Sequence, residues 1–203
     1  MPTKADVINT ALRILGEKQS PGVDETKPHV KRLTNAYEPV VKAAFEDHPW
    51  NFASEVVSLS AVASTEPGWD YTFNQPANFL RFIKLRPDTN FGDGYDDMAY
   101  EVRNGLWLTN SETTYMKFVS KAKMTMPGSW TQQFGNMVGA MLADETYPAT
   151  DEGNSTRDRI ERKLKAYTKA AKSLDGSNKA VYVRPAGNFV HARRQGLSGS
   201  RYS

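Results

Sequence analysis

The sequence has 203 residues, which fits one domain, or one domain with a tail, at roughly 100–200 residues per domain. Hydrophobic residues make up 39% and charged residues 24%, a lean core that fits a chain with an exposed segment or one that completes its burial in an oligomer. Cysteine is absent, which excludes disulfides, thiolate metal sites and cysteine nucleophiles. With no signal-peptide pattern and no apolar run near the ~18 residues of a membrane span, we expect synthesis in a reducing cytosol and no membrane partner.

The net charge of +3 is divided unevenly along the chain. Residues 1–156 hold 14 Lys and Arg against 20 Asp and Glu, a balance of −6, whereas residues 157–203 hold 12 against 3, a balance of +9. A basic end on an acidic body predicts a polyanionic partner or an acidic protein groove. The alternative is a solvated helix face followed by a tail that charge keeps soluble.

Two amphipathic helices are predicted first, over about 3–15 and 28–47. Thr3 is a good N-cap with an acidic residue three positions later, and Gly16 is a natural stop after the first apolar stripe. Pro39 lies inside the second stretch, where we expect it to kink or divide the helix.

A small antiparallel β-sheet is predicted over about 50–120, where β-prone runs alternate with turns. Asn104-Gly105 between two such runs is the strongest short hairpin signal, and it predicts a type I′ turn. A glycine- and aspartate-rich loop covers about 87–97.

Helical spacing returns over about 129–147, with Ser129 as the predicted N-cap, and again over 151–174. The inward stripe predicted for the fourth helix consists of Ile160, Leu164, Tyr167, Ala171 and Leu174. Its other face is basic and carries Arg157, Arg159, Arg162, Lys163, Lys165, Lys169 and Lys172. From residue 175 the pattern predicts an extended tail, with a glycine-rich end that cannot bury a core.

The predicted fold class is therefore α+β. It is mainly a bundle of about four helices, with the small antiparallel sheet inserted between helices 2 and 3. Residues 1–174 form the body and residues 175–203 form the extended C-terminal tail.

No motif for catalysis, cofactor binding or metal binding emerges from the sequence. His29, His48 and His191 have no helical metal-ligand spacing. The run that begins at Asp88 resembles a calcium loop but has Asp93 where that loop requires glycine. Phosphate-binding glycine motifs are missing as well. We therefore expect no enzyme activity, no cofactor and no metal, although a carboxylate pair assembled from distant residues stays open.

Aromatic, proline and glycine landmarks follow one another in a characteristic order. They are Pro49-Trp50-Asn51-Phe52-Ala53, Pro67-x-Trp69-x-Tyr71, Gln75-Pro76-x-x-Phe79-Leu80-Arg81, Tyr100-Glu101-Val102-Arg103-Asn104-Gly105, and Pro127-x-x-Trp130-x-x-x-Phe134. This order resembles the tail tubular protein A family, the head-to-tail adaptors of short-tailed bacteriophages, over about residues 5–174. On the residues alone, Trp50 and Phe52 at i and i+2 are predicted to share one face of a strand and pack on the helices.

The resemblance implies a structural protein of the virion tail and neck, assembled in the cytoplasm of a bacterial host. Its copies would form a ring, commonly a dodecamer, that joins the portal protein to the tail nozzle protein. Genomic DNA would pass through the lumen without sequence specificity during ejection. The helical bundle and the C-terminal segment would contact the portal, and the β-rich end would face the nozzle.

Candidate contact residues follow from this placement. Portal docking is predicted for Arg162, Lys169, Val181, Tyr182, Val183, Arg184, Phe189, Arg193, Arg194, Arg201 and Tyr202. The loop predicted to face the nozzle contributes Asp88, Asn90, Phe91, Asp93 and Tyr95.

Two other functions remain open at this point. One is a nucleic-acid-binding module that uses the basic fourth helix, whose affinity would fall steeply with salt. The other is a peptidoglycan-cleaving tail protein, which would depend on an essential carboxylate.

Overall fold

The computed structural model describes residues 1–91, 98–147 and 154–178. The helices of this part are α1 (Lys4–Leu15), α2 (Pro28–Asp47), α3 (Gln132–Thr146) and α4 (Asn154–Ser177). Its strands are β1 (Ser54–Leu59), β2 (Val62–Ala63), β3 (Tyr71–Asn74), β4 (Phe79–Arg86), β5 (Glu101–Arg103), β6 (Leu106–Thr109) and β7 (Thr114–Ser120). The mixed α+β class predicted from the sequence is confirmed.

The strands form two antiparallel sheets, where the sequence predicts one. The first sheet has the order β1-β7-β4 and the second has the order β2-β3-β6-β5. The first sheet is covered on both faces. Strand β7 allows this because it has apolar side chains at successive positions, and successive side chains of a strand point to opposite faces. Phe118 belongs to a core cluster shared with the second sheet, whereas Val119 belongs to the core of the helices.

Two hydrophobic clusters therefore meet at the first sheet. The larger one is built mainly from the four helices and includes fully buried Leu12, Leu33 and Phe45. The smaller one is Phe73, Leu85, Trp107, Met116 and Phe118, contributed by strands of both sheets.

The start of α1 has the predicted cap. The hydroxyl oxygen of Thr3 accepts a hydrogen bond from the backbone N–H of Asp6 at 3.2 Å, and the Asp6 carboxylate accepts one from the Thr3 N–H at 2.9 Å. The Thr3 hydroxyl also donates to the Asp6 carboxylate at 2.7 Å, and this hydrogen bond, followed by the one from the Thr3 backbone N–H, lowers the pKa of Asp6. The helix ends at Gly16, whose φ of 81° is in the left-handed region that glycine adopts without strain.

Helices α1 and α3 approach closely because α3 carries glycine where they meet. A Cβ atom at Gly139 would lie 2.8 Å from the side chain of Thr10 and 3.0 Å from the carbonyl oxygen of Val7. Since real Cβ contacts are longer, a larger residue at this position would push the two helices apart.

Of the two outcomes predicted for Pro39, division of α2 is excluded, because the helix continues to Asp47. The N-cap of α3 is Thr131 rather than Ser129, because the Thr131 hydroxyl accepts the N–H of Phe134 at 3.2 Å while Ser129 ends a 3₁₀ turn.

The end of α4 also differs, and this moves the boundary between the predicted body and tail. The helix continues through Ser177, and the residue that faces inward in its last turn is Asp175, 3% exposed, while Leu174 is 37% exposed. Four residues separate Ala171 from Asp175, so the 3.6-residue period places both on the inward face. Residue 175 therefore belongs to the body, and the prediction that Leu174 faces inward is wrong.

Candidate assembly surfaces

The aromatic residues of two landmarks, Trp50 and Phe52 from one and Trp130 and Phe134 from the other, meet in one cluster between the helices and the first sheet. The ring of Phe134 lies 4.8 Å from Trp50, 5.0 Å from Phe45 and Phe52, and 5.1 Å from Trp130, each with edge-to-face geometry. Such aromatic pairs add to the stability that their buried area provides. The landmarks therefore fix how the chain passes from α2 into the sheets and enters α3.

The local backbone at Trp50 differs from the prediction. Residues Asn51–Ala53 form a 3₁₀ turn, and the strand begins only at Ser54, so Trp50 and Phe52 do not share a strand face. Both still pack on the helices, as predicted, and Trp50 is fully buried. The indole N–H of Trp50 donates to the carbonyl of Ala44 at 2.8 Å, which satisfies its one polar group.

The Asn104-Gly105 landmark forms the predicted hairpin turn. The φ angles are 51° and 78°, and β5 and β6 pair directly on either side of these two residues. Both positive φ values define the type I′ turn, which is confirmed. Beside it, Trp69 donates its indole N–H to Glu101 at 3.0 Å, so another landmark serves to hold a loop on the second sheet.

A polar contact fastens the end of α4 to the segment after α2. The Asp175 carboxylate accepts hydrogen bonds from the Asn51 backbone N–H at 2.8 Å and from its side-chain amide at 3.0 Å. The nearest ring nitrogen of His48 lies 3.4 Å from the same carboxylate. Nearby, Lys172 pairs with Asp47 at 2.8 Å. We call the Asp175–Asn51 contact the α4 latch.

The basic face of α4 is partly paired and partly open. Arg157 pairs with Glu161 at 3.4 Å, and Arg162 donates its Nε–H to the carbonyl of Asp158 at 3.1 Å. Among the described residues, Lys165 and Lys169 have no side-chain hydrogen bond or ion pair, and Arg162 has no carboxylate partner. The two predicted docking residues Arg162 and Lys169 are seven positions apart and both exposed, so they lie on one side of the helix.

A groove lies between α2, α3 and α4. Its volume is about 390 Å³, and it is lined by Ala36, Pro39, Val40, Ala43, Met141, Asp144, Glu145 and Leu164. Most of the lining is apolar, and the two carboxylates supply the charge. Asp144 and Glu145 are exposed and form no ion pair within the part of the chain that the structure describes. We call this feature the acidic groove.

The acidic groove is not among the features predicted from the sequence. The available signal was the small-residue spacing of Ala36, Val40 and Ala43 at i, i+4 and i+7, which narrows one side of α2. How far this side stands from α4 depends on tertiary packing, which the sequence alone does not give.

The loop predicted to face the nozzle is described only in part. Asp88 pairs with Arg86 at 3.1 Å and accepts the backbone N–H of Asn90 at 2.9 Å; these hydrogen bonds, the one from Arg86 first, lower the pKa of Asp88. Phe91 lines a cleft together with His48 and Lys172. Asp93 and Tyr95 lie outside the described residues, and the nozzle contact stays a prediction.

The tail residues predicted to dock on the portal also lie outside the described residues. They are Val181, Tyr182, Val183, Arg184, Phe189, Arg193, Arg194, Arg201 and Tyr202. Within residues 1–91, 98–147 and 154–178, no group of three or more His, Asp or Glu side chains is placed to hold a metal ion. None of the helices in those ranges is long and apolar enough to span a membrane.

Compared with known protein families and with curated proteins, the chain matches no family model and no protein. The resemblance to tail tubular protein A adaptors therefore rests on the landmark residues alone.

Proposed function

We propose that this protein is a structural head-to-tail adaptor of a short-tailed bacteriophage. Its copies form a ring, a dodecamer, that joins the portal to the tail nozzle and encloses the channel for the genome. The chain acts by assembly and has no substrate. It needs no cofactor for this role.

The proposal is carried by the convergence of the landmark residues in the aromatic cluster. Trp50 and Phe52 come from one landmark and Trp130 and Phe134 from another, about 80 positions away, yet the first three rings pack around that of Phe134. Wherever this architecture occurs, we expect residues that pack in this way at the junction between the helices and the first sheet. The landmarks thus make physical sense as determinants of a shared fold rather than as scattered aromatic residues.

In the proposed arrangement, the four helices form a bundle at the portal end, and the β-rich part is inserted between α2 and α3 towards the nozzle. The segment 179–203 attaches each copy to the portal as an extended arm. Its arginines meet carboxylates there, and its few apolar residues anchor it, because charge alone does not offset the roughly 1–2 kcal/mol needed to order each residue.

Electron microscopy of the purified chain, alone and after mixing with its portal protein, tests this proposal. We expect rings of one defined stoichiometry that stack on the portal and share its axis. A chain that stays monomeric in both samples, at concentrations well above those of assembly in a cell, contradicts the adaptor role.

Duplex binding is a second candidate function, favoured by the open basic side of α4. In that case the isolated monomer binds double-stranded DNA tightly, and the logarithm of its affinity falls linearly with the logarithm of salt concentration. Fluorescence anisotropy with a labelled duplex separates the two roles. An adaptor monomer shows only weak binding, whereas a DNA-binding module binds without any ring.

A further inference from the structure

The open side of α4 and the acidic groove are complementary in charge. The helix presents exposed Arg162, Lys165 and Lys169, which we call the basic ridge. The groove presents exposed Asp144 and Glu145. Neither set is neutralised by an ion pair among the described residues. Each surface therefore lacks a counter-charge of the kind that the other one offers.

The groove also suits long basic side chains for a second reason. The apolar part of its lining, which forms its floor, includes Val40 and Leu164. Its two carboxylates belong to adjacent residues near the C-terminal end of α3. Lys and Arg place aliphatic stems along apolar surface while their charged ends reach polar partners. A ridge of such side chains can thus cover the floor and meet the carboxylates at once.

The basic residues of α4 face away from the groove, to which this helix contributes Leu164. At 3.6 residues per turn, Arg162, Lys165 and Lys169 are rotated from Leu164 by about 160°, 100° and 140° around the helix axis. The ridge of one molecule therefore cannot enter its own groove. It can enter the groove of a second copy, and that copy still presents its own ridge to a third.

We propose that the basic ridge Arg162/Lys165/Lys169 of one copy docks in the acidic groove of the next copy, and that this contact closes the ring. Such a head-to-tail contact uses two different surfaces, so copies add one after another until the rotation between neighbours closes the ring. The inference rests on the proposed ring and names the contact that builds it; it places Arg162 and Lys169 against the neighbouring copy instead of against the portal, where the resemblance had placed them.

Two charge-reversed variants test this contact. The ridge variant is Arg162→Glu with Lys169→Glu, and the groove variant is Asp144→Lys with Glu145→Lys. Each variant alone sets like charges against each other at every contact, but a 1:1 mixture restores opposite charges when the two variants alternate around a ring with an even number of copies. A matched control, Lys31→Glu with Lys121→Glu, reverses two exposed lysines outside α4.

Mass photometry across a concentration series gives the result, with circular dichroism to verify that each variant is folded. We expect each variant alone to need roughly 30-fold or more protein to assemble, because repulsion replaces attraction at two positions of every contact. The control assembles like the parent, and the mixture recovers the parent's oligomer with equal amounts of both variants. The neutral pair Arg162→Gln with Lys169→Gln gives a smaller loss.

The failures of the two proposals are distinguishable. Assembly of either variant alone at the parent's concentration overturns the ridge-in-groove contact, and so does a folded mixture that stays monomeric, while the ring itself stands. A parent chain that never assembles, alone or on the portal, overturns the ring.

Discussion

Replacement of Asp175 by alanine tests whether the α4 latch holds the helix on the body. Asp175 is 3% exposed, and its carboxylate accepts two hydrogen bonds from Asn51, at 2.8 and 3.0 Å. Asp175→Ala removes both. The Asn51 side-chain amide keeps its hydrogen bond to the backbone carbonyl of residue 175 at 2.9 Å, whereas the Asn51 backbone N–H, in a half-buried position, is left to find water. The helix should then fray from its C-terminal end.

The magnitude follows from the chemistry of the contact. Hydrogen bonds to a charged group contribute about 1.5–3 kcal/mol each, and the hydrogen bond that the Asn51 amide keeps, together with water at the half-buried backbone N–H, offsets part of the loss. We expect Asp175→Ala to lower the free energy of unfolding by roughly 2–3 kcal/mol. For a chain of this length that corresponds to a fall in Tm of about 4–12 °C.

Urea unfolding and thermal melting, both followed by circular dichroism, measure the effect. Asp158→Ala is the matched control, since it removes an exposed carboxylate from the same helix and should change the free energy of unfolding by less than about 0.5 kcal/mol. If Asp175→Ala unfolds at the same urea concentration as the control, the latch does not stabilise the fold and the assignment of residue 175 to the body loses its physical basis.

Gly139→Ala should destabilise the fold by about 1–3 kcal/mol in urea unfolding, because the new Cβ forces α1 and α3 apart. Gly176→Ala is the control: it has open space around it and should stabilise the fold by up to about 1 kcal/mol. Equal effects of the two substitutions would refute the close approach of α1 and α3. Gly105→Val should cost about 1–2 kcal/mol through its positive φ, and a variant that melts like the parent contradicts the type I′ turn. Burial raises the pKa of Tyr37 to about 12, above its usual value of 10.0, so the fold favours the neutral phenol and stability falls as the pH rises through this interval. Tyr37→Phe should remove that alkaline loss without lowering stability at pH 7, since the hydroxyl has no hydrogen-bond partner in the described part of the chain; a lower Tm at pH 7 is evidence against this. Truncation after Asn178 should abolish portal binding in a pull-down while Tm stays within about 2 °C of the parent, and undiminished binding removes the tail from the portal contact.

The signals that sequence reasoning used best were local. The Thr3 capping box and the Asn104-Gly105 turn depend on a few neighbouring residues, so residue type and spacing define them, and both are confirmed. Helical periodicity likewise identified the four helices, with ends displaced by up to three residues. Ser129 and Thr131 are equally good caps by type, and only the backbone geometry selects Thr131.

Local sequence signals do not predict long-range packing. Asp175 reads as a helix-ending residue until Asn51, 124 positions away, provides its hydrogen-bond donors. The division of seven strands into two sheets depends on β7 pairing with β1 and β4, which no local pattern encodes. The acidic groove requires three helices at fixed distances, so its carboxylates at 144 and 145 looked like ordinary surface residues.

The mass of the assembled particle tests the central claim most directly. Native mass spectrometry of the purified chain, with and without its portal protein, should give a single closed oligomer. For twelve copies of the 22.7 kDa chain, the adaptor contributes about 272 kDa. One discrete mass of this kind, added as a unit to the portal, is the result that the adaptor account predicts. A monomer at 22.7 kDa in both samples, or a continuous ladder of masses without a closed species, would contradict it.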